Sequence, residues 1–398
     1  MQTPSPSKID TKVIDTALAS LIDEGAVAGV SALIYAGGEE VYYGDFGHAD
    51  READRLWERG TLVTIYSMTK PITGVTLLSL YEDGLFDFED PLSKYLPEYA
   101  DVKVFEGVNE DGSLNLVPPN RPIKVIDIFR HTACFGYGWG NSPISKLIQE
   151  AQLLDPSKPL SQFSQELAKI PLHCHPGTEW KYSVAVDVQA RLAEVLTGQN
   201  YEGLVRERVL DPLGMSETSY FVPSPDKARL AAVYLRNAQG ELHRAPDDQI
   251  YSFSPEKPLQ INGGHGLIST IDDYMRFALM LQNEGTYDGV QILKPETIAL
   301  MSRNHLPDTI TKRDFLPSKG QVGFGLNVAV RIAPPANAAE PYGIVREFFW
   351  DGAASPFFWV DPKNDITAVF MIQVMPFDGA SQAKFRSAVY EAMELKTD

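Results

Sequence analysis

Cysteine is almost missing from this chain. Cys134 and Cys174 are the two among 398 residues, too few for a disulfide framework and in keeping with a reducing cytosol. Positive charge is also short: 35 lysines and arginines face 53 acidic residues, for a net charge of −18. That balance argues against nucleic acid or an anionic membrane as the main partner. No apolar run approaches the length of a membrane span. The opening residues Met1-Gln2-Thr3-Pro4-Ser5-Pro6-Ser7-Lys8 lack a basic segment followed by an apolar one, so no secretory signal is visible and a cytoplasmic location is expected. No Gly-x-Ser-x-Gly occurs, which excludes the common α/β-hydrolase elbow. Gly263-Gly264-His265-Gly266 is not part of a Gly-x-x-x-x-Gly-Lys-Ser/Thr element, so it does not read as a phosphate loop.

What is present is enough apolar material, 44% of the residues, to bury a large core. Ile9, Val13, Ile14, Ala17, Leu18, Leu21 and Ile22 recur at helical spacing and stop at Gly25. Gly29–Ala36 and Glu40–Gly47, joined at Gly37-Gly38, read as a hairpin. A further helix runs from Ser67 to about Asp83-Gly84. From Leu85 to about Asn304 the signals are mostly helices and long loops, the clearest helices being Leu92–Leu96, Ile123–Arg130, Ala185–Leu196, Tyr201–Val209 and Asp272–Gln282. Strand-like runs return at Gly323–Arg331, Ile344–Trp350, Ser355–Val360 and Ile366–Val374, and an amphipathic helix from about Ser381 to Leu395 closes the chain. This order predicts one α/β sheet built from both chain ends and flanked by helices. Residues 1–84 and 305–398 would form that unit and residues 85–304 a mainly helical one, with the active site in the cleft between them.

Within that frame, Ser67 and Lys70 carry the chemistry. A serine and a lysine three residues apart at a helix start share one face, where the amine can take the hydroxyl proton and activate a weak nucleophile. The spacing alone is common: Ser5/Lys8, Ser224/Lys227, Ser254/Lys257 and Ser381/Lys384 repeat it, but in a polar tail, in proline-marked loops, or at the start of the last helix. There an ordinary surface serine and lysine is the better reading. Tyr182 precedes the Ala185–Leu196 helix. A lysine ammonium beside it favours its phenolate, making it a candidate base for Ser67 and acid for the leaving group. Trp350-Asp351-Gly352-Ala353 ends a predicted strand, where small residues let backbone approach a ligand, and its amide is placed to join that of Ser67 in an oxyanion hole.

Tyr66-Ser67-Met68-Thr69-Lys70, Tyr182-Ser183-Val184 and Trp350-Asp351-Gly352 together resemble the three motifs of the serine β-lactamase and penicillin-binding-protein superfamily. They are most similar to the carboxylesterases related to class C β-lactamases, the family VIII esterases. Phe129-Arg130-His131-Thr132-Ala133-Cys134, Gly263–Thr270 and Phe358-Trp359-Val360-Asp361-Pro362 also resemble family landmarks in the expected order, over about residues 10–395. The resemblance implies a β-lactamase-like fold, Ser67 as nucleophile, Lys70 and Tyr182 as the proton-transfer pair, and the amides of Ser67 and Ala353 as the oxyanion hole. It implies no cofactor.

Two departures favour esters over lactams. Val184 stands where a β-lactamase usually carries asparagine, and Trp350 where it carries lysine or histidine. Trp350, Gly352, Phe135 and Tyr137 are the candidate substrate-binding residues. The expected substrate is a short- to medium-chain acyl ester, resolved by water or, in an acyltransferase, by an alcohol. A weak β-lactamase or D-amino-acid peptidase, or an inactive binding protein, is the competing reading. His173-Cys174-His175 is weak against the usual metal-ligand spacings, so no metal site is expected, and Cys134 as nucleophile leaves Lys70 and Tyr182 without a role. His131 and Asp187 are read as structural, framing the cleft. The oligomeric state is not written in these motifs.

Overall fold

The computed structural model describes residues 9–222, 224–246, 261–336 and 342–395; the Ser5/Lys8 and Ser254/Lys257 pairs lie outside them. Its main sheet takes strands from both ends of the chain. These are β1 (Gly29–Ala36), β2 (Glu39–Asp50), β3 (Arg55–Leu56), β4 (Val322–Phe324), β5 (Ala329–Arg331), β6 (Phe348–Asp351), β7 (Phe357–Asp361) and β8 (Ile366–Met371). Their order across the sheet is β4-β5-β6-β7-β8-β1-β2-β3, with every neighbouring pair antiparallel. The β1–β8 pairing, Ser31 opposite Met371 through Ala36 opposite Ile366, is the seam that closes the two termini into one sheet.

Alternation along β6 and β7 explains how the layers stack. Trp359 points to one face and meets Phe385 at 5.5 Å between ring centroids. Phe358 points to the other and meets Tyr274 at 5.2 Å. One face is therefore covered by the C-terminal helix Gly379–Ala392, which also packs against Thr11–Asp23, and the other by the helix Ile271–Gln282. Trp350 lies on the second face, Phe349 on the first. The central strands are buried on both sides, and so read as continuous apolar runs.

The strand-like run expected at residues 323–331 is two strands: β4 and β5 turn back on each other, Val322 opposite Arg331. Asn327, at φ +64°, makes the turn, since asparagine tolerates the left-handed region better than most residues. The middle of the chain also holds strands: Val104–Val108 pairs with Leu114–Val117, and Tyr234–Arg236 pairs with Leu242–Arg244. Helices at Pro143–Ala151, Leu160–Leu167 and Pro295–Met301 were not expected. The first starts on a Ser142 side chain that accepts from the Ser145 amide, with proline at its first position, a start signal present in the sequence.

The cysteines are not free. Cys134 and Cys174 form a disulfide across 40 residues. This corrects the expectation of reduced thiols: such bonds persist in oxidising compartments, and cysteine usage no longer argues for the cytosol. No described helix is long and apolar enough to cross a membrane.

Candidate active site

The position of Ser67 is set by a tight turn. Tyr66 sits at φ +47°, an uncommon conformation for a tyrosine. It delivers Ser67 to a 3₁₀ turn, Tyr66–Met68, that runs directly into the helix Thr69–Glu82. Residues 69–80 of that helix are all buried, so it is central rather than amphipathic, and its polar side chains find partners inside. Thr73 donates to the Gly263 carbonyl at 2.6 Å, Thr76 to the Ile72 carbonyl and Ser79 to the Thr76 carbonyl. Buried polar groups are otherwise costly.

Lys70 has no solvent exposure. Its Nζ lies 3.0 Å from Ser67 Oγ and donates to the Gly264 carbonyl at 2.6 Å. The Tyr182 ring is 4.8 Å away and the Tyr137 ring 5.6 Å. Burial pushes the Lys70 amine down to about 7, against the opposing pull of Asp187 and Asp351. Its backbone is pinned as well: Asn327 Nδ2 donates to the Lys70 carbonyl at 3.1 Å and to Gln189 Oε1 at 2.8 Å, and Gln189 Nε2 returns a bond to Asn327 Oδ1.

Tyr182 departs from the expected electrostatics. Burial dominates and pushes its phenol well above the ordinary value, while its contacts with Ser67 and Trp350 only partly offset that. The hydroxyl therefore stays protonated near neutrality, and the expected phenolate is not favoured here. The ring is held among His131 at 4.7 Å, Trp180 at 5.9 Å and Trp350 at 5.6 Å.

Ala353 follows β6 and is exposed to the cleft. Before it, Gly352 passes so close to the Ser67 turn that a Cβ there would sit 2.5 Å from the Ile65 carbonyl oxygen and 2.7 Å from Pro356 Cγ. Only glycine lets the strand end and the Ser67 turn approach this closely. A cavity of about 620 Å³ opens above them, walled by Tyr66, Tyr137, Trp139, Tyr182, Phe315, Trp350 and Phe377.

The chemistry of this arrangement is acyl transfer, and the comparisons with known proteins agree. A family profile described as Beta-lactamase matches residues 14–391. The chain belongs to the beta-lactamase family. It is 32% identical to Protein Rv1367c of Mycobacterium tuberculosis, over 89% of this chain and 88% of that one. It is 28% identical to the lovastatin esterase of Penicillium rubens, over 95% and 98%. Among solved structures it resembles EstCE1, described as a hydrolase with promiscuous acyltransferase activity, at TM-score 0.79 and 25% identity over 96% and 98% of the two chains.

Within this beta-lactamase-family fold the remaining sequence candidates separate. Gly352, Trp350 and Tyr137 line the cavity. Phe135 does not: it is buried against Tyr99, 5.6 Å between centroids, which corrects its assignment to the pocket. Val184 is buried ahead of the helix Ala185–Thr197. His131 is buried with its ring on Tyr182, and burial holds it well below its ordinary value. Asp187 accepts from the Gly264 amide at 3.0 Å and is pushed up to about 6 by burial. The His173-Cys174-His175 triplet offers no thiolate, since Cys174 is bonded to Cys134. His173 lies against Gly136, and His175 accepts from the Asn120 amide.

Several wall residues were not foreseen. Trp139 is 65% exposed and stacks on Tyr137 at 4.9 Å. Its signal was the alternation Gly136-Tyr137-Gly138-Trp139-Gly140, because aromatics spaced by glycines in a loop have no local core to fill. His265, within the glycine run, lines the cavity; burial, then the nearby Lys70, push it down to about 3. Phe315, Lys319 and Phe377 arrive from segments far from any motif.

Proposed function

We propose that this chain is a serine carboxylesterase working through an acyl-enzyme on Ser67. The observation that carries the reading is the fully buried Lys70 amine, 3.0 Å from Ser67 Oγ, which burial brings to a value where much of it is unprotonated at neutral pH. A neutral amine accepts the Ser67 hydroxyl proton as Oγ attacks the ester carbonyl carbon. The resulting oxyanion is received by the Ser67 and Ala353 amides, a contribution of about 10²–10³ in turnover for one donor. As the C–O bond breaks, the Tyr182 hydroxyl donates its proton to the departing alkoxide and is reprotonated from Lys70. Water then attacks the acyl-enzyme with Lys70 taking its proton, and Ser67 leaves carrying a proton back.

The substrate is a small-molecule ester with a substantial apolar part. A site walled by aromatic rings gains from burying apolar surface, and its volume exceeds that of a short acyl chain. That room also favours acyl transfer to an alcohol as a second reading, because the acceptor can occupy the space vacated by the leaving group. Hydrolysis of p-nitrophenyl esters by the wild type, its loss in Ser67→Ala, and mass addition of a fluorophosphonate at Ser67 test the proposal. A label recovered on another serine would refute it.

A further inference from the structure

The wall of the cavity contains a buried ion pair that the acyl-transfer scheme leaves unused. Lys319 ends the short turn Leu316–Lys319 and pairs with Asp351, the last residue of β6. Both side chains are nearly enclosed, at 8% and 11% exposure. The Lys319 Nζ lies over three rings, 4.8 Å from Phe377, 5.1 Å from Trp350 and 5.6 Å from Phe315. Asp351 immediately precedes Gly352 and Ala353, so this pair ties a distant loop to the oxyanion turn.

The groups facing Lys70 come from several elements. Tyr137 and Tyr182 present rings, and burial keeps both phenols protonated. His131 and His265 are held neutral by burial. The carboxylates are Asp187, which accepts from the Gly264 amide, and Asp351; the charges of both, Asp187 first, favour protonated Lys70, and both disfavour ionised Tyr182. Asp351 would thus work against a free base, unless its charge were cancelled. Lys319 is placed to cancel it.

We propose that Lys319 is a positioning residue for the acyl-transfer chemistry, neutralising Asp351 and pinning the 315–319 segment to the end of β6, next to Gly352-Ala353. The inference rests on Lys70 being the base in the scheme above. Removing Lys319 leaves a buried carboxylate uncompensated and strengthens Lys70's hold on its proton; removing the Asp351 charge does the opposite.

The test is the pH dependence of Ser67 labelling by a fluorophosphonate, with p-nitrophenyl butyrate turnover alongside, for Lys319→Met, Asp351→Asn and Lys319→Arg. The acid limb of Lys319→Met should move about one pH unit to the alkaline side, that of Asp351→Asn should move to the acid side, and Lys319→Arg should track the wild type. A role in packing alone lowers the rates while leaving the limbs in place. Limbs that stay put, or move in the same direction in both charge variants, overturn the proposal. If one variant does not fold, the direction of shift in the other decides. A wild type that is not labelled at Ser67 counts against the esterase reading itself, whereas labelling with unmoved limbs counts against Lys319 alone.

Discussion

Burial gives Lys70 its use. In water its amine holds a proton until about pH 10.5; in this interior the value falls to about 7, because a charge without solvent is costly. Below that value Lys70 is protonated and no base faces Ser67; above it the amine is free. Esterase activity should therefore rise with pH through neutrality. Because Asp187 titrates close by, the limb belongs to the pair rather than to one residue, and kcat/KM measured from pH 5 to 9 checks it. Lys70→Met and Tyr182→Phe should each lower kcat roughly 10²–10⁴-fold. The double variant should be little worse than either, since the two groups relay one proton; additive losses would separate their roles. Ser67, Lys70 and Tyr182 were legible in the sequence as a spacing and an order. The protonation state of Tyr182 was not. A motif pairs a lysine with a tyrosine, but does not show that both are buried, and here desolvation outweighs the attraction of the neighbouring charge.

Elements bring these residues together by close backbone contact. The turn before the helix Thr69–Glu82 carries Tyr66 at positive φ, and the end of β6 passes over it at Gly352. In Gly352→Ala the added methyl would collide with the Ile65 carbonyl oxygen and Pro356, both part of rigid backbone or ring. One of the two elements must shift, and with it the Ala353 amide proposed for the oxyanion hole. We expect kcat to fall about 10²–10³-fold, as for loss of one oxyanion donor, and stability to drop by roughly 1–3 kcal/mol; steady-state kinetics and thermal unfolding measure both. The helices Thr11–Asp23 and Ala185–Thr197 were readable from their helical spacing, and the central strands from their continuous apolar runs. The β4–β5 turn was hidden because a run of residues apolar on both faces shows no alternation, and the cue at Asn327 is a backbone angle rather than a composition. The ribbon at 104–117 was hidden because its strands are short, partly exposed and varied in polarity.

At the scale of the molecule, a sheet closed from both chain ends forms one wall of the cleft, and loops from the middle of the chain form the other. The disulfide fastens that second wall. Cys134 lies three residues before Tyr137, and its bond to Cys174 closes a 40-residue segment; removing it, as Cys134→Ala/Cys174→Ala, should cost about 2–4 kcal/mol by loop-closure entropy, read as a lower midpoint in denaturant. The same walls decide the substrate. Aromatic rings line the cavity, and the cation in its lining among the described residues, Lys319, is committed to Asp351. A penicillin or cephalosporin brings a carboxylate into this partly dry space, where it must either stay unpaired, a costly state, or draw Lys319 away from Asp351 and leave that carboxylate unpaired instead. Neither route is open without penalty. A neutral ester meets no such conflict and buries its apolar part against Tyr137, Trp139 and Trp350. As the proposed nucleophile and base, Ser67 and Lys70 would act on any reactive carbonyl, so slow nitrocefin turnover is expected. The kcat/KM for the best p-nitrophenyl ester should exceed that for any penicillin or cephalosporin, and a β-lactam with the higher value would show that the charge of this cavity does not set its selectivity.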